Sequence, residues 1–565
     1  MSGGNWNVAG YDRNLAAKLL SRGINPLVSV LLASRGVSES DKIKELMSPS
    51  EEDITSPFLM ADMAQAAERV RRAISDGEHV AVYGDYDVDG ITASCLLAHY
   101  LRSKGVSCEV YIPERLEEGY GVNNNALLAI SKMGVSLVIT VDCGITAAEN
   151  KRYAASLGMD MVITDHHEVS GEEPEGPVVD PKRPECQSPA KMLAGVGVAF
   201  KLVCAVEGEE HTHELLETYG DLAAVGTVAD VMPVTGENRI LIRRGIELIR
   251  EGRRVGLAAL CQAAGADPAR LTAIDVGYVL APRINAAGRL GGTDTAVRLL
   301  MTEDPAEAMS LANQLCELNK ERRRIEGNME AQALKMLSAQ PPEGRPIVLA
   351  GRDWHQGVAG IVASRMADRF SLPSIMICVK DGVGRGSCRS AGGYNLFEAL
   401  SDLREYLIGF GGHELAAGIT LNEENIPAFR KALGEHYAAR AASLPESVLE
   451  VDFEVIKPRL LTAANIRALE SLEPYGSGNP SPVLCMCGVR VEDAMGLSDG
   501  RHSKLWLSKA GTVFEAVFFG RSLSQLGAHK GVEADVAFAP QINEFRGRST
   551  VQLNLCDFVP RGKMQ

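Results

Sequence analysis

Between residues 79 and 165 the chain alternates short apolar runs with longer amphipathic stretches. The runs 79–84, 108–112, 136–141 and 160–164 are short and apolar, which predicts strands, and the stretches near 91–104, 123–133 and 146–157 predict helices. This alternation predicts an α/β fold with a parallel, doubly wound sheet. Residues 190–300 read as mostly helical, so a first large domain is expected over 51–300, after a helical segment over 1–50 that is punctuated at Gly36 and Pro49. A long connecting helix is expected within 301–340. Asp304-Pro305 supplies an N-cap and a proline at the first helical position, apolar residues recur from Met309 to Leu337, and Pro341-Pro342 ends the pattern. About 33 helical residues would span roughly 50 Å, enough to bridge two lobes.

A second α/β domain is expected over 341–440, with strands at Ile347–Ala350 and Ser374–Val379 flanking a helix Val358–Phe370. From 447 to 560 short alternating runs, punctuated by Gly and Pro, predict a β-barrel of the OB type. Such a barrel holds single strands by stacking bases on aromatic rings, and Trp506, Phe514 and Phe518 are the candidates, although core positions would use the same residues. No internal repeat or low-complexity tract is visible.

Composition narrows the class. Apolar content of 45% and charged content of 23% are ordinary for a soluble globular protein. A net charge of −15 argues against a protein that coats nucleic acid nonspecifically, but leaves room for an enzyme with a local basic path. The 12 cysteines show no CxxC pair, so free thiols in a reducing cytoplasm are expected. No signal peptide and no apolar stretch of membrane-spanning length is seen, and a monomer is expected from the number of lobes.

The chemistry is concentrated in four segments: Asp85-Tyr86-Asp87-Val88-Asp89-Gly90, Asp142-Cys143-Gly144, Asp165-His166-His167 and Asp230. Three of them follow or end an apolar run, which places their carboxylates and imidazoles at the carboxyl edge of the sheet, where such folds bind ligands. Carboxylates so close repel one another and take up protons unless cations are bound. A calcium EF-hand also begins D-x-D-x-D-G, but it needs a Glu at the twelfth loop position, which here is Leu96. Carboxylates suit Mg²⁺ and Mn²⁺, imidazole tilts the choice towards Mn²⁺, and two such ions can drive hydrolysis of a phosphodiester. The expected metal ligands are Asp85, Asp87, Asp89, Asp142, His166 and Asp230, with Asp142 bridging. His167 is expected to donate to the phosphate, and Asp165 to orient an imidazole. Gly90 is expected to permit a sharp exit from the loop.

Outside this cluster, Ala281–Arg289 is expected to pack Arg283 and Arg289 into a Gly-containing turn, where guanidinium groups can hold phosphate. His355 precedes a helix start that offers free N–H groups. Gly384–Ser390 and Gly409–His413 read as glycine-rich segments for close approach of a ligand. Lys320, Arg322, Arg323 and Arg324 on the long helix fit either a solvated face or a nucleic-acid contact.

In order along the chain, GDYDVDG, VDCG, TDHH, VADVMP, APRINAAGR, GRDWHQGVAGIVASR and GGHELAAG resemble the DHH/DHHA1 phosphoesterase superfamily, and within it the RecJ family of bacterial single-strand-specific exodeoxyribonucleases. The resemblance covers about 50–560. It implies a parallel-sheet DHH domain joined by the long helix to a DHHA1 domain, a ring-shaped architecture whose channel excludes duplex, and two-metal 5′→3′ exonuclease activity in recombination and repair. It matches Asp85, Asp87, Asp89, Asp142, His166, His167 and Asp230 to catalytic motifs. It matches Arg283, Asn285, Arg289, His355, Arg389, Ser390 and His413 to segments that contact the DNA chain. A RecQ-type helicase and a single-strand-binding protein are the partners it implies. The alternatives are a small-substrate relative acting on short oligonucleotides, cyclic dinucleotides or pyrophosphate, and a replication scaffold that has lost its chemistry.

Overall fold

A computed structural model of the chain describes all residues except 1–4, 116–117, 120, 170, 445–447, 499, 546–547 and 562–565. It divides into two compact units, Glu51–Glu446 and a second that joins residues 1–50 to 447–565.

In the larger unit, helix α1 (Met63–Asp76) precedes a parallel five-stranded sheet, β1 (Val80–Gly84), β2 (Cys108–Tyr111), β3 (Leu137–Val141), β4 (Asp160–Thr164) and β5 (Val178–Val179). Their order is β2-β1-β3-β4-β5. Strands β1 and β3 are buried along their whole length, because helices cover both faces. Alternate residues serve the two sides. Val80, Val82, Leu137 and Ile139 pack with helices α1, α2 (Val88–Ser103), α5 (Gly195–Glu207) and α6 (Thr212–Ala229), whereas Ala81, Tyr83 and Val138 pack with α3 (Asn124–Lys132) and α4 (Ala148–Ser156). The chain direction around the sheet reverses beside β1. The loops after β1 and β3 therefore flank a topological switch point, where a crevice opens at the carboxyl edge.

Residues 281–289, expected to form a Gly-containing turn, lie in helix α7 (Ala281–Leu290). Gly288 serves contact rather than turning: a Cβ there would lie 2.1 Å from the Tyr86 carbonyl oxygen, so only glycine lets α7 rest on the Asp85–Asp89 loop. Helix α8 (Pro305–Ala339) runs 35 residues, with the Asp304 carboxylate accepting from Ala306 N at 2.9 Å. Three of its four central basic residues are ion-paired: Lys320 with Glu317 at 2.6 Å, Arg324 with Glu321 at 2.6 Å, and Arg322 with the buried Glu326 at 3.1 Å. Glu326 also takes Arg365 of helix α9 (Gln356–Phe370) at 3.0 Å, which fastens α8 to the next sheet.

That sheet has the order β9-β10-β8-β7-β6, with β6 (Ile347–Gly351), β7 (Ser374–Lys380), β8 (Val383–Arg389), β9 (Gly409–Gly412) and β10 (Ala416–Asn422). Only β6 and β7 are parallel. The glycines of 384–390, expected to allow close approach of a ligand, lie in strand β8. A Cβ on Gly384 would meet Ile377 Cγ2 at 2.7 Å, and one on Gly386 would meet Ile419 Cγ1 at 2.7 Å, so packing demands them.

In the smaller unit, strands Leu484–Leu497, His502–Lys509, Thr512–Phe518, Arg548–Pro560 and Glu533–Phe545 pair in that order, and the last returns to the first, closing a barrel. The N-terminal segment is part of this unit. Leu19, Leu27, Leu31 and Ile43 share a core with Phe453, Leu484 and Phe538, and Arg35 forks onto Asp452 at 2.8 and 3.2 Å. Phe514 and Phe518 belong to that core and are not stacking platforms; Trp506 is half-buried with Lys504 Nζ 5.1 Å above its ring, and Phe519 is exposed.

Candidate metal centre

Each expected ligand is delivered by a sheet edge or a helix end. Asp85 follows β1, Asp142 follows β3, the Asp165-His166-His167 segment follows β4, and Asp230 caps the carboxyl end of α6. Asp87 caps the amino end of α2, accepting from Gly90 N at 3.1 Å, so Asp89 stands on the first helical turn rather than on a loop. Gly90 is needed for proximity: a Cβ there would lie 2.4 Å from Asp85 O. Asp142 has a left-handed backbone, φ 61°, which aspartate tolerates better than bulkier residues.

These groups converge. Three sets of possible ligand atoms lie within 4.8 Å of one another: Asp85, Asp87 and Asp142; Asp89, His166 and Asp230; and Asp142, His166 and His167. Asp142 and His166 each belong to two of the sets. His166 Nε2 stands 3.0 Å from Asp142 Oδ1, 3.6 Å from Asp230 Oδ2 and 3.8 Å from Asp89 Oδ2. Yet Asp85 Oδ1, Asp142 Oδ1, Asp230 Oδ2 and His166 Nε2 are all buried without a hydrogen-bond partner. Buried orphaned polar atoms are expensive. Four of them facing one another are what a site for hard divalent cations requires, and the oxygen-rich set with one imidazole fits Mn²⁺ or Mg²⁺.

The electrostatics agree. Burial, then repulsion from Asp87, pushes Asp85 up to about 8, and the same causes push Asp230 up to about 7. Burial and neighbouring aspartates also drive Asp89 and Asp142 well above the carboxylate range. Burial, then the charge of His167, lowers His166 to about 3, leaving it a neutral ligand. Asp89 is held by the first backbone amides of α5, Gly195 N at 2.6 Å and Val196 N at 2.8 Å, an anion at a helix amino end.

Asp165 does not join any of these sets. Its two oxygens accept from Ile145 N at 2.9 Å, His166 N at 2.7 Å, His167 N at 3.2 Å and His167 Nδ1 at 2.7 Å. Burial opposes its charge, but the bond from His167 prevails and keeps it below the ordinary value. In return, and against burial, this bond lifts His167 to about 9, a cation at neutral pH.

The expected substrate residues fall into two groups. Arg289 is close enough to act on Tyr86, which stands between Asp85 and Asp87, and Arg389 acts on Arg289. Arg289 donates to Gly357 O at 3.0 Å, its buried Nε has no partner, and burial followed by Arg115 and Arg322 lowers it to about 10. Arg389 donates to its own strand at Cys388 O, 2.8 Å, near enough to α9 that a Cβ on Gly360 would meet its Nη2 at 3.0 Å. His355 caps α9, its Nδ1 accepting from Gly357 N at 3.1 Å, and Asn285 is half-buried on α7. By contrast, Arg283 is turned back onto Val279 O and Cys316 Sγ, Ser390 bonds Tyr394 O, and the His413 side chain is exposed beyond β9.

The sequence reading missed Arg115, Lys182 and Asp180. Arg115 lies 4.9 Å above the Tyr86 ring and adds positive charge beside Asp85, and Lys182 acts on Asp230 and His166. Asp180 is fully buried, one oxygen accepting from Lys182 N at 2.7 Å and the other unpaired. Val178-Val179-Asp180 is another apolar run ending in aspartate, so the signal that found Asp85 would have found it.

Three family models match the chain: the DHH family N-terminal domain over 79–227, the DHHA1 domain over 344–439 and the RecJ OB domain over 451–557. The single-stranded-DNA-specific exonuclease RecJ of Bacillus subtilis is 38% identical over 98% of this chain and 70% of its own length. The crystal structure of Thermus thermophilus RecJ with Mn²⁺ matches 99% of this chain and 80% of its own, with a TM-score of 0.84 and 31% identity, and the Mg²⁺ complex matches with a TM-score of 0.78 at 30% identity. The chain belongs to the RecJ family.

Proposed function

We propose that this chain is a metal-dependent exonuclease that removes nucleotides from single-stranded DNA in the 5′→3′ direction, in recombination and repair. The observation that carries the reading is the convergence of orphaned carboxylate and imidazole atoms at the carboxyl edge of the sheet. Divalent cations held there would neutralise the phosphoryl oxygens and provide an activated water. Asp85, Asp87 and Asp142 would hold one ion, Asp89, His166 and Asp230 the other, with Asp142 as the bridge. Protonated His167, clamped by Asp165, donates to the scissile phosphate. Arg289, Arg389 and Arg115, with the amino end of α9, give the strand's terminal phosphate a desolvated cationic seat. Asn285, His355, Ser390, Arg283 and His413 would complete the path, the last three after side-chain rotation.

The barrel domain favours a long strand over a dinucleotide or pyrophosphate. All 12 cysteines are free thiols, which fits work in the cytoplasm, as a monomer alongside a RecQ-type helicase and a single-strand-binding protein. No helix among the described residues is long and apolar enough to cross a membrane. The test is digestion of end-labelled single and double strands with each metal, for the wild type and Asp142→Ala. The wild type should release nucleotides from the 5′ end of single strands, while the variant should bind the strand but release none. Undiminished cleavage by the variant would reject the assignment.

A further inference from the structure

The helix that carries Asn285 and Arg289 continues backwards through a π-helical turn, Val276–Leu280, to Ala273. Ile274 and Tyr278 are exposed on it, and the half-buried Pro282, Asn285 and Arg289 continue the same stripe. The spacings of four, four, three and four residues keep them on one side. Exposure falls along the stripe, from Tyr278 at 78% to Asn285 and Arg289, both half-buried. Tyr278 is the most exposed large apolar side chain among the described residues. The next is Val231, 71% exposed, which directly follows Asp230 and is held at φ 57°, a strained setting for a β-branched residue. The two belong to packed neighbours, since a Cβ on Gly277 would touch Val228 Cγ1 at 3.4 Å. Exposed apolar groups beside a polar site mark a binding surface.

We propose that Tyr278 is a positioning residue on which a base of the single strand stacks, a few nucleotides from the terminal phosphate. This rests on the exonuclease reading above. Eleven residues separate Tyr278 from Arg289, about 16 Å of helix, so a strand whose end phosphate sits at Arg289 passes Tyr278 if it follows the stripe. An unpaired strand offers base faces to such a ring and a duplex does not, so Tyr278 contributes to the choice of single strands.

The test compares the wild type with Tyr278→Ala, Tyr278→Phe and Tyr278→Trp on a long single strand at several salt concentrations. Tyr278→Ala should raise KM about 5- to 100-fold, the range for losing one stacked base, with kcat at saturation unchanged. Phe and Trp should restore KM. The salt dependence of KM should keep its wild-type slope, because stacking displaces no counterions. A wild-type KM in Tyr278→Ala would overturn the proposal and leave the patch to a protein partner. So would failure of Phe to rescue, or a fall in kcat alone. A wild type that degrades no single strand would instead refute the exonuclease reading.

Discussion

The closeness of α5 to Asp142 yields a sharp prediction. Gly195 is the first residue of that helix, and its amide holds Asp89. A Cβ at this position would stand 2.5 Å from Asp142 Cβ and 2.8 Å from Asp142 Oδ1. Carbon atoms rest about 3.5–4.0 Å apart, so Gly195→Ala forces helix and carboxylate about 1 Å further apart. Overpacking of this kind costs about 1–3 kcal/mol, while alanine regains about 0.5–1 kcal/mol of helix propensity, leaving a net loss of about 0–2.5 kcal/mol. The chain should still fold. Catalysis suffers more, because a 1 Å misplacement costs about 100-fold, and the Mn²⁺ concentration for half-maximal rate should rise about 10- to 100-fold. Gly197→Ala is the control: its Cβ meets only the Leu193 side chain, Cδ2 at 3.0 Å and Cβ at 3.3 Å, and no metal group. The assay is the rate of nucleotide release against Mn²⁺ concentration, with thermal unfolding in parallel. A Gly195→Ala enzyme with wild-type rate and Mn²⁺ dependence would refute the argument that Asp142 is held in a position it must keep.

Three further outcomes follow from the same geometry. Asp85 at about 8, Asp230 at about 7 and His167 at about 9 bind more protons folded than unfolded, so metal-free protein should lose stability as pH rises from 6.5 to 8.5, by up to about 1.4 kcal/mol per pH unit for each group; the opposing effect of His166, at about 3, is complete below that window. Saturating Mn²⁺ should remove the share of the slope due to Asp85 and Asp230 and leave that of His167, and melting temperatures against pH will show whether it does. Asp165→Asn removes the bond that keeps His167 protonated, so kcat at neutral pH should fall at least about 10-fold and recover partly in acid; a pH–rate profile of unchanged shape would count against the clamp. Arg389→Ala should raise KM for a strand about 10-fold and reduce its salt slope by about one, read from KM at several salt concentrations.

The catalytic edge was legible because its signal is local. An apolar run ending in Asp puts a carboxylate at a strand's carboxyl end wherever the sheet is parallel, and Asp85, Asp142 and Asp165 all obey. The helix over Pro305–Ala339 was equally plain, since its N-cap, proline and apolar spacing all agree. Glycines misled. Gly288, Gly90, Gly384 and Gly386 suggested turns or close approach of a ligand, but each is small because other protein atoms pack against it: Tyr86 and Ile419, distant in sequence, for Gly288 and Gly386, and Asp85 and Ile377, only five and seven residues back, for Gly90 and Gly384. The arginines divided once helices formed: Arg283 and Arg322 are occupied by partners one helical turn away, Val279 O and Glu326, whereas Arg115 gained significance from Tyr86 beneath it. Joining of the first 50 residues to the C-terminal barrel was hidden too, because strand Trp6–Val8 pairs with Leu449–Val451 across most of the chain's length.

The most direct test is anomalous scattering from crystals of this protein soaked in Mn²⁺. Two manganese peaks are expected, one among Asp85, Asp87 and Asp142 and one among Asp89, His166 and Asp230, with Asp142 touching both. A single peak elsewhere, or no peak with these side chains turned apart, would contradict the account.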